Sequence, residues 1–168
     1  MVKFFSKNPS QTKKIAESLA KKILKIKKRK RAFVLGLEGE LGGGKTTFLQ
    51  GFAKGLGIKE KVLSPTFIIM KKYELRSTKK RRKKSSELQT SYFRFYHIDC
   101  YRLIRNKEIL DLGFKEITSN PKNIVTIEWA DKIKKIIPKD STWILFKFVK
   151  EKEREISFKG NFLKFFNP

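Results

Sequence analysis

The segment Gly39-Glu40-Leu41-Gly42-Gly43-Gly44-Lys45-Thr46 constrains the fold more than any other stretch of this chain. Its spacing, Gly-x4-Gly-Lys-Thr, is that of a phosphate loop, whose backbone N–H groups curl around phosphate oxygens. Such a loop needs a strand before it and a helix after it, because the helix lends the positive end of its dipole to the anion. Both are legible. Ala32–Leu37 is apolar without alternation, the pattern of a parallel strand covered on both faces. Beyond the loop, Phe48, Leu49, Phe52, Ala53 and Leu56 trace one helical face, and Gly57 is a natural stop. Three consecutive glycines permit the positive φ angles that turn N–H groups inward. Lys45 is expected to reach the β- and γ-phosphates, and the Thr46 hydroxyl to ligate magnesium. The expected cofactors are therefore ATP and Mg2+.

A phosphate loop also needs an acidic group at the end of a neighbouring strand. Glu128 closes the apolar run Ile124–Ile127 and is the better candidate for magnesium. Asp99 closes a second strand, Tyr92 to Tyr101, in which Phe93, Phe95, His97, Asp99 and Tyr101 share a face by period two. It is expected to orient the attacking water, to bind metal through water, or to fix the loop around Thr66. His97 and Trp129 are read as packing residues, His97 with a catalytic reading left open because its titration range suits proton transfer.

The remaining pattern predicts one domain over 1–168. Asn8-Pro9 is an N-cap followed by proline at the first helical position, and Ile15, Leu19, Ile23 and Ile26 mark the buried face of that helix. Val62-Leu63 and Phe67–Met70 read as strand pieces around Ser64-Pro65-Thr66. Asn106–Leu112 reads as a short helix closed by Gly113. Ile133, Ile136 and Ile137 suggest another helix, stopped by Pro138. Two strands, near 142–149 and 155–159, complete the chain. The predicted class is α/β, P-loop NTPase-like, in three layers with parallel central strands and antiparallel additions.

Charge is the other strong signal, since 41 Lys and Arg against 16 Asp and Glu give +25. Such a field draws polyanions, tRNA among them, in a salt-dependent manner, although a Lys-rich composition yields it too. Residues 79–84 are six consecutive cations, inside a predicted loop insertion of about 76–91 joining two antiparallel strands. No apolar run approaches the roughly 20 residues of a membrane span. Residues 1–6 lack the apolar core of a signal peptide. The lone Cys100 excludes an intrachain disulfide. A soluble, cytoplasmic protein is expected.

Four motifs in order, Gly39–Phe48, Ser64-Pro-Thr-Phe67, His97-Ile-Asp-Cys-Tyr-Arg-Leu103 and Ile127-Glu-Trp-Ala130, resemble the TsaE (YjeE) family. That family comprises small bacterial ATPases of tRNA threonylcarbamoyladenosine synthesis. The resemblance implies slow ATP hydrolysis and association with TsaB and TsaD, which modify the adenosine beside the anticodon in tRNAs reading codons that begin with adenosine. It implies phosphate binding by the backbone of Glu40, Leu41, Gly42, Gly43 and Gly44, with Thr47 completing the loop, and catalytic roles for Lys45, Thr66, Asp99 and Glu128. It places Thr46 and Glu128 on magnesium and Thr12 near the nucleotide. Gly43 stands where the family usually has alanine, an exchange of small residues expected to be harmless. The basic stretch 76–84 is longer than the usual strand connection and is read as tRNA contact or as a solvated loop.

A small-molecule or nucleotide kinase is the rival enzyme, although no arginine-bearing lid insertion is evident unless the basic loop serves. A GTPase is disfavoured because Asn106-Lys107-Glu108 is followed by Ile109, not by the aspartate of a guanine-specifying motif.

Overall fold

The computed structural model describes residues 1–26, 29–75 and 93–160. The basic block 79–84 and Tyr92 lie outside them. Seven strands form one sheet in the order β1 (Val2–Ser6), β7 (Glu153–Lys159), β6 (Thr142–Lys150), β2 (Phe33–Gly39), β5 (Asn123–Glu128), β4 (Phe93–Asp99) and β3 (Met70–Leu75). The four central strands β6, β2, β5 and β4 run parallel. The β6–β7, β7–β1 and β4–β3 pairs are antiparallel, so parallel pairing is confined to the middle.

Helices cover the parallel block on both faces, which is why its strands read as apolar runs. On one face α1 (Pro9–Leu24) and α2 (Lys45–Gly55) enclose Leu19, Ile23, Leu35, Leu37, Phe48 and Phe52. On the other, α3 (Asn106–Asp111), α4 (Phe114–Ser119) and a 3-10 turn (Ala130–Ile133) enclose Val34, Ile98, Val125 and Ile127. The three-layer α/β architecture is the one expected. The cap at Asn8 also forms, its side chain accepting a hydrogen bond from the Gln11 N–H at 3.0 Å.

Several local expectations are corrected. Val62-Leu63 and Phe67–Ile69 are not strands; β3 begins only at Met70. Pro65 has no N–H to give a ladder, and Ser64 and Thr66 spend their side chains on Asp99. The Ile133–Ile137 helix is a single 3-10 turn followed by irregular turns. Gly113 closes α3 as expected, but with φ +78° it also opens α4, which hydropathy did not suggest. Strand β4 ends at Asp99, so Tyr101 lies in a turn and is exposed.

Candidate nucleotide site

The site sits at the carboxyl ends of β2, β5 and β4, where open α/β sheets place their ligands. Register brings its acids together: Glu128 pairs with Leu37 on one side and with Asp99 on the other. The loop leaves β2 after Gly39 and enters α2 at Lys45. Gly42 and Gly44 adopt φ values of +72° and +99°, which L side chains resist. The Gly43 N–H donates to the Glu40 carbonyl at 3.0 Å. A Cβ at Gly43 would meet that carbonyl at 2.9 Å, so the exchange with alanine is not free; the turn must open slightly. Leu41 stands out at the loop tip, 77% exposed, and Thr47 is half-buried on the first turn of α2.

Lys45 is buried, and its Nζ donates to the carbonyls of Gly39 at 2.6 Å and Glu40 at 2.8 Å. The ammonium also lies 3.9 Å from the Trp129 ring centroid, within cation–π range. Desolvation holds the Lys45 pKa below the ordinary lysine value, opposed by the carboxylates of Glu128, Asp99 and Asp131. A partly desolvated cation facing these carboxylates is a strong receptor for phosphate oxygens.

Thr46 and Glu128 meet directly: the Thr46 hydroxyl donates to Glu128 Oε2 at 2.9 Å. The other carboxylate oxygen, Oε1, lies 2.8 Å from His97 Nε2. That bond assigns the His97 proton to Nε2, an inference from the network. Fully buried, with Nδ1 lacking a partner among the described residues, His97 orients Glu128 as a supporting histidine would. Hydroxyl and carboxylate together are an all-oxygen donor set that suits magnesium.

Asp99 does something different. Its Oδ2 accepts hydrogen bonds from the hydroxyls of Ser64 and of Thr66 (2.8 Å for Thr66), and its Oδ1 accepts from the Tyr101 N–H at 2.9 Å. Of the three roles left open, anchoring the loop around Thr66 is the one these contacts perform. The loop ends at Ile69, whose carbonyl accepts from the Asp99 N–H at 2.8 Å. Ile69 and Trp129 are the non-glycine residues with positive φ among the described residues, at +62° and +57°. Both are bulky and both adjoin an acid of the site, where backbone strain tends to collect.

Thr12 sits on the opposite flank. It is buried at the start of α1, with its hydroxyl 2.8 Å from the hydroxyl of Ser6. Ser6 faces Arg154 across the β1–β7 pair, and the Arg154 Nη2 donates to the Gly42 carbonyl at 2.9 Å. Arg154 was not foreseen, because a single arginine in the mixed-charge strand β7 carries no local signal. Asp131, one of the carboxylates acting on Lys45, was also missed. Trp129 does pack partly against the core, as expected, but its face is turned to Lys45.

Comparison with known proteins gives the family. The sequence profile of the TsaE family, described as threonylcarbamoyl adenosine biosynthesis protein TsaE, matches residues 6–156. The Bacillus subtilis protein named tRNA threonylcarbamoyladenosine biosynthesis protein TsaE is 37% identical over 94% of this chain and 84% of its own length. The Treponema pallidum protein of the same name is 32% identical over 74% of this chain and 79% of its own. The crystal structure of Bacillus subtilis YdiB superposes with a TM-score of 0.62 at 32% identity, covering 94% of this chain and 83% of that one. Fold, motif order and relatives converge: the chain belongs to the TsaE family.

Proposed function

We propose that this protein binds ATP with magnesium at the Gly39–Thr46 loop, hydrolyses it slowly, and serves the TsaB–TsaD pair in threonylcarbamoyl modification of tRNA. The observation that carries the nucleotide reading is the Thr46–Glu128 bond at 2.9 Å, beside a buried lysine and a glycine-rich turn. The partner reading rests on family membership.

The residues present fit both groups. Glycines 42 and 44 supply the positive-φ corners of a backbone anion nest, and the first turn of α2 points its N–H groups the same way. Lys45 would exchange its carbonyl partners for phosphate oxygens, and Thr46 and Glu128 would hold the metal. Magnesium supplies charge neutralisation at the phosphates when bound. His97 keeps Glu128 aimed at Thr46. Asp99 keeps the Thr66 and Ser64 hydroxyls together, and this carboxylate and hydroxyl pair would orient an attacking water. Trp129 covers the Lys45 ammonium with its ring face and so limits solvent access to it.

Calorimetry with ATP, phosphate release with and without magnesium, and co-purification with TsaB and TsaD test the proposal together. ATP binding should weaken at least tenfold in Lys45→Ala, and association should depend on nucleotide. A protein that neither binds ATP nor joins the pair would sink the reading. Phosphorylated product in the presence of nucleosides would replace it with a kinase.

A further inference from the structure

We propose that Arg154 is a positioning residue that holds the phosphate loop in its binding shape from the flank opposite Glu128, an inference that rests on the nucleotide reading above. In the sheet, β5 with Glu128 lies on one side of β2, while β6 and then β7 with Arg154 lie on the other. The loop is therefore gripped from both sides, by Thr46–Glu128 on one and by Arg154–Gly42 on the other.

The guanidinium is fixed before it reaches the loop. Its Nη1 donates to three carbonyls of its own hairpin, Lys150 (2.8 Å), Glu151 (3.2 Å) and Glu153 (2.8 Å). The Phe148 ring lies 4.7 Å from its central carbon. Register between β6 and β7 shifts between Phe148 and Lys150, and such irregularities re-aim a side chain at a strand end. The planar fork then leaves Nη2 directed at the Gly42 carbonyl. The side chain also lies flat on the loop: Cγ and Nε are 3.7 and 3.9 Å from the Cβ position of Gly44. Its Nε is buried without a hydrogen-bond partner among the described residues, a cost that marks the placement as held against a local preference. Fixing the Gly42 carbonyl fixes the Gly42–Gly43 peptide plane. With it goes the direction of the Gly43 N–H, between the two glycines whose positive φ shapes the nest. Through Ser6, which faces Arg154 across the sheet and bonds Thr12, the same clamp ties the start of α1 to the loop.

Arg154→Ala and Arg154→Lys, in the full chain, test this with two readouts. Amide hydrogen exchange at Gly42–Gly44 in nucleotide-free protein should accelerate tenfold or more in both variants. The dissociation constants of ATP and ADP should rise about tenfold in both, since one ammonium cannot span the hairpin carbonyls and Gly42 together. Unchanged exchange in Arg154→Ala overturns the inference, as does full rescue by Arg154→Lys, which would reduce Arg154 to a charge. Arg154→Lys carries the comparison should the alanine variant fold poorly. A wild-type protein that binds no ATP would refute the nucleotide reading instead, while the exchange readout still decides Arg154.

Discussion

Replacing Asp99 separates what the carboxylate does for the fold from what it does for chemistry. It is 4% exposed, and it accepts from the hydroxyls of Ser64 and Thr66 on one oxygen and from the Tyr101 N–H on the other. Hydrogen bonds to a charged acceptor contribute about 1.5–3 kcal/mol each, which sets a ceiling for three. Burying the carboxylate costs several kcal/mol, and the two freed hydroxyls can turn to water. A net loss of about 2–3 kcal/mol is therefore expected for Asp99→Ala. In Asp99→Asn the Oδ1 can still accept from Tyr101 while Nδ2 donates to the hydroxyl oxygens, so the expected loss is about 1 kcal/mol. Urea titration measures both, and hydrogen exchange at Thr66–Met70 shows whether the loop is released. The loop should lose protection in the alanine variant and largely keep it in the asparagine variant. Phosphate release should be slow in both if the charge serves hydrolysis. An alanine variant as stable as the wild type, with loop protection unchanged, would refute the anchoring role.

Three further outcomes follow from the same contacts. Glu128→Gln keeps the size and an acceptor for Thr46 but removes the charge, so magnesium-dependent phosphate release should fall about a hundredfold while ATP affinity changes little; equal loss of both, read by calorimetry and turnover, would assign Glu128 to folding. Gly51→Ala would place a Cβ 2.3 Å from the Lys13 carbonyl oxygen, where α1 and α2 touch backbone to backbone. The variant should lose about 2 kcal/mol in chemical denaturation despite alanine's better helix propensity of about 1 kcal/mol, and a gain in stability would contradict the packing. The Cys100 thiol is fully buried, and burial, followed by the charge of Asp99, pushes its pKa up to about 12 from 9.0. It should ignore thiol reagents at pH 8 until the chain unfolds. Below pH 9 both folded and unfolded thiols stay protonated; between 9 and about 12 only the unfolded one ionises, so stability falls by up to about 1.4 kcal/mol per pH unit there. Cys100→Ala should remove that part of the alkaline slope, and an unchanged slope would sink the assignment.

Much of the site is local in character and so was readable from the chain. Lys45, Thr46 and the three glycines are contiguous, and Glu128 follows its apolar strand directly. Strands β2 and β5 announced themselves because both faces are covered, leaving no room for polar alternation. Where the reading failed, a distant contact overrode a local preference. The apolar Phe67–Ile69 reads as strand, but Asp99 holds the neighbouring Ser64 and Thr66 in a turn, and Phe67 and Ile68 stay exposed. The isoleucines at 133, 136 and 137 carry helical spacing, yet the chain forms only a 3-10 turn before Pro138. Strand β1 gave no signal because Val2–Ser6 is short, sits at the sheet edge, and is paired only to β7.

Sequence alone determined that this chain folds around a phosphate loop, and picked out the lysine, the hydroxyl and the acid that the structure brings together beside it. Those are properties of spacing: a strand, a tight turn and a helix must follow one another for backbone N–H groups to converge. Tertiary structure decided what aims those groups. His97 reaches Glu128 across neighbouring strands, Trp129 turns its face to Lys45 through a left-handed backbone, and Arg154 reaches Gly42 from 112 positions away in the chain. Strand order and register create these contacts, and no short window of sequence contains both partners.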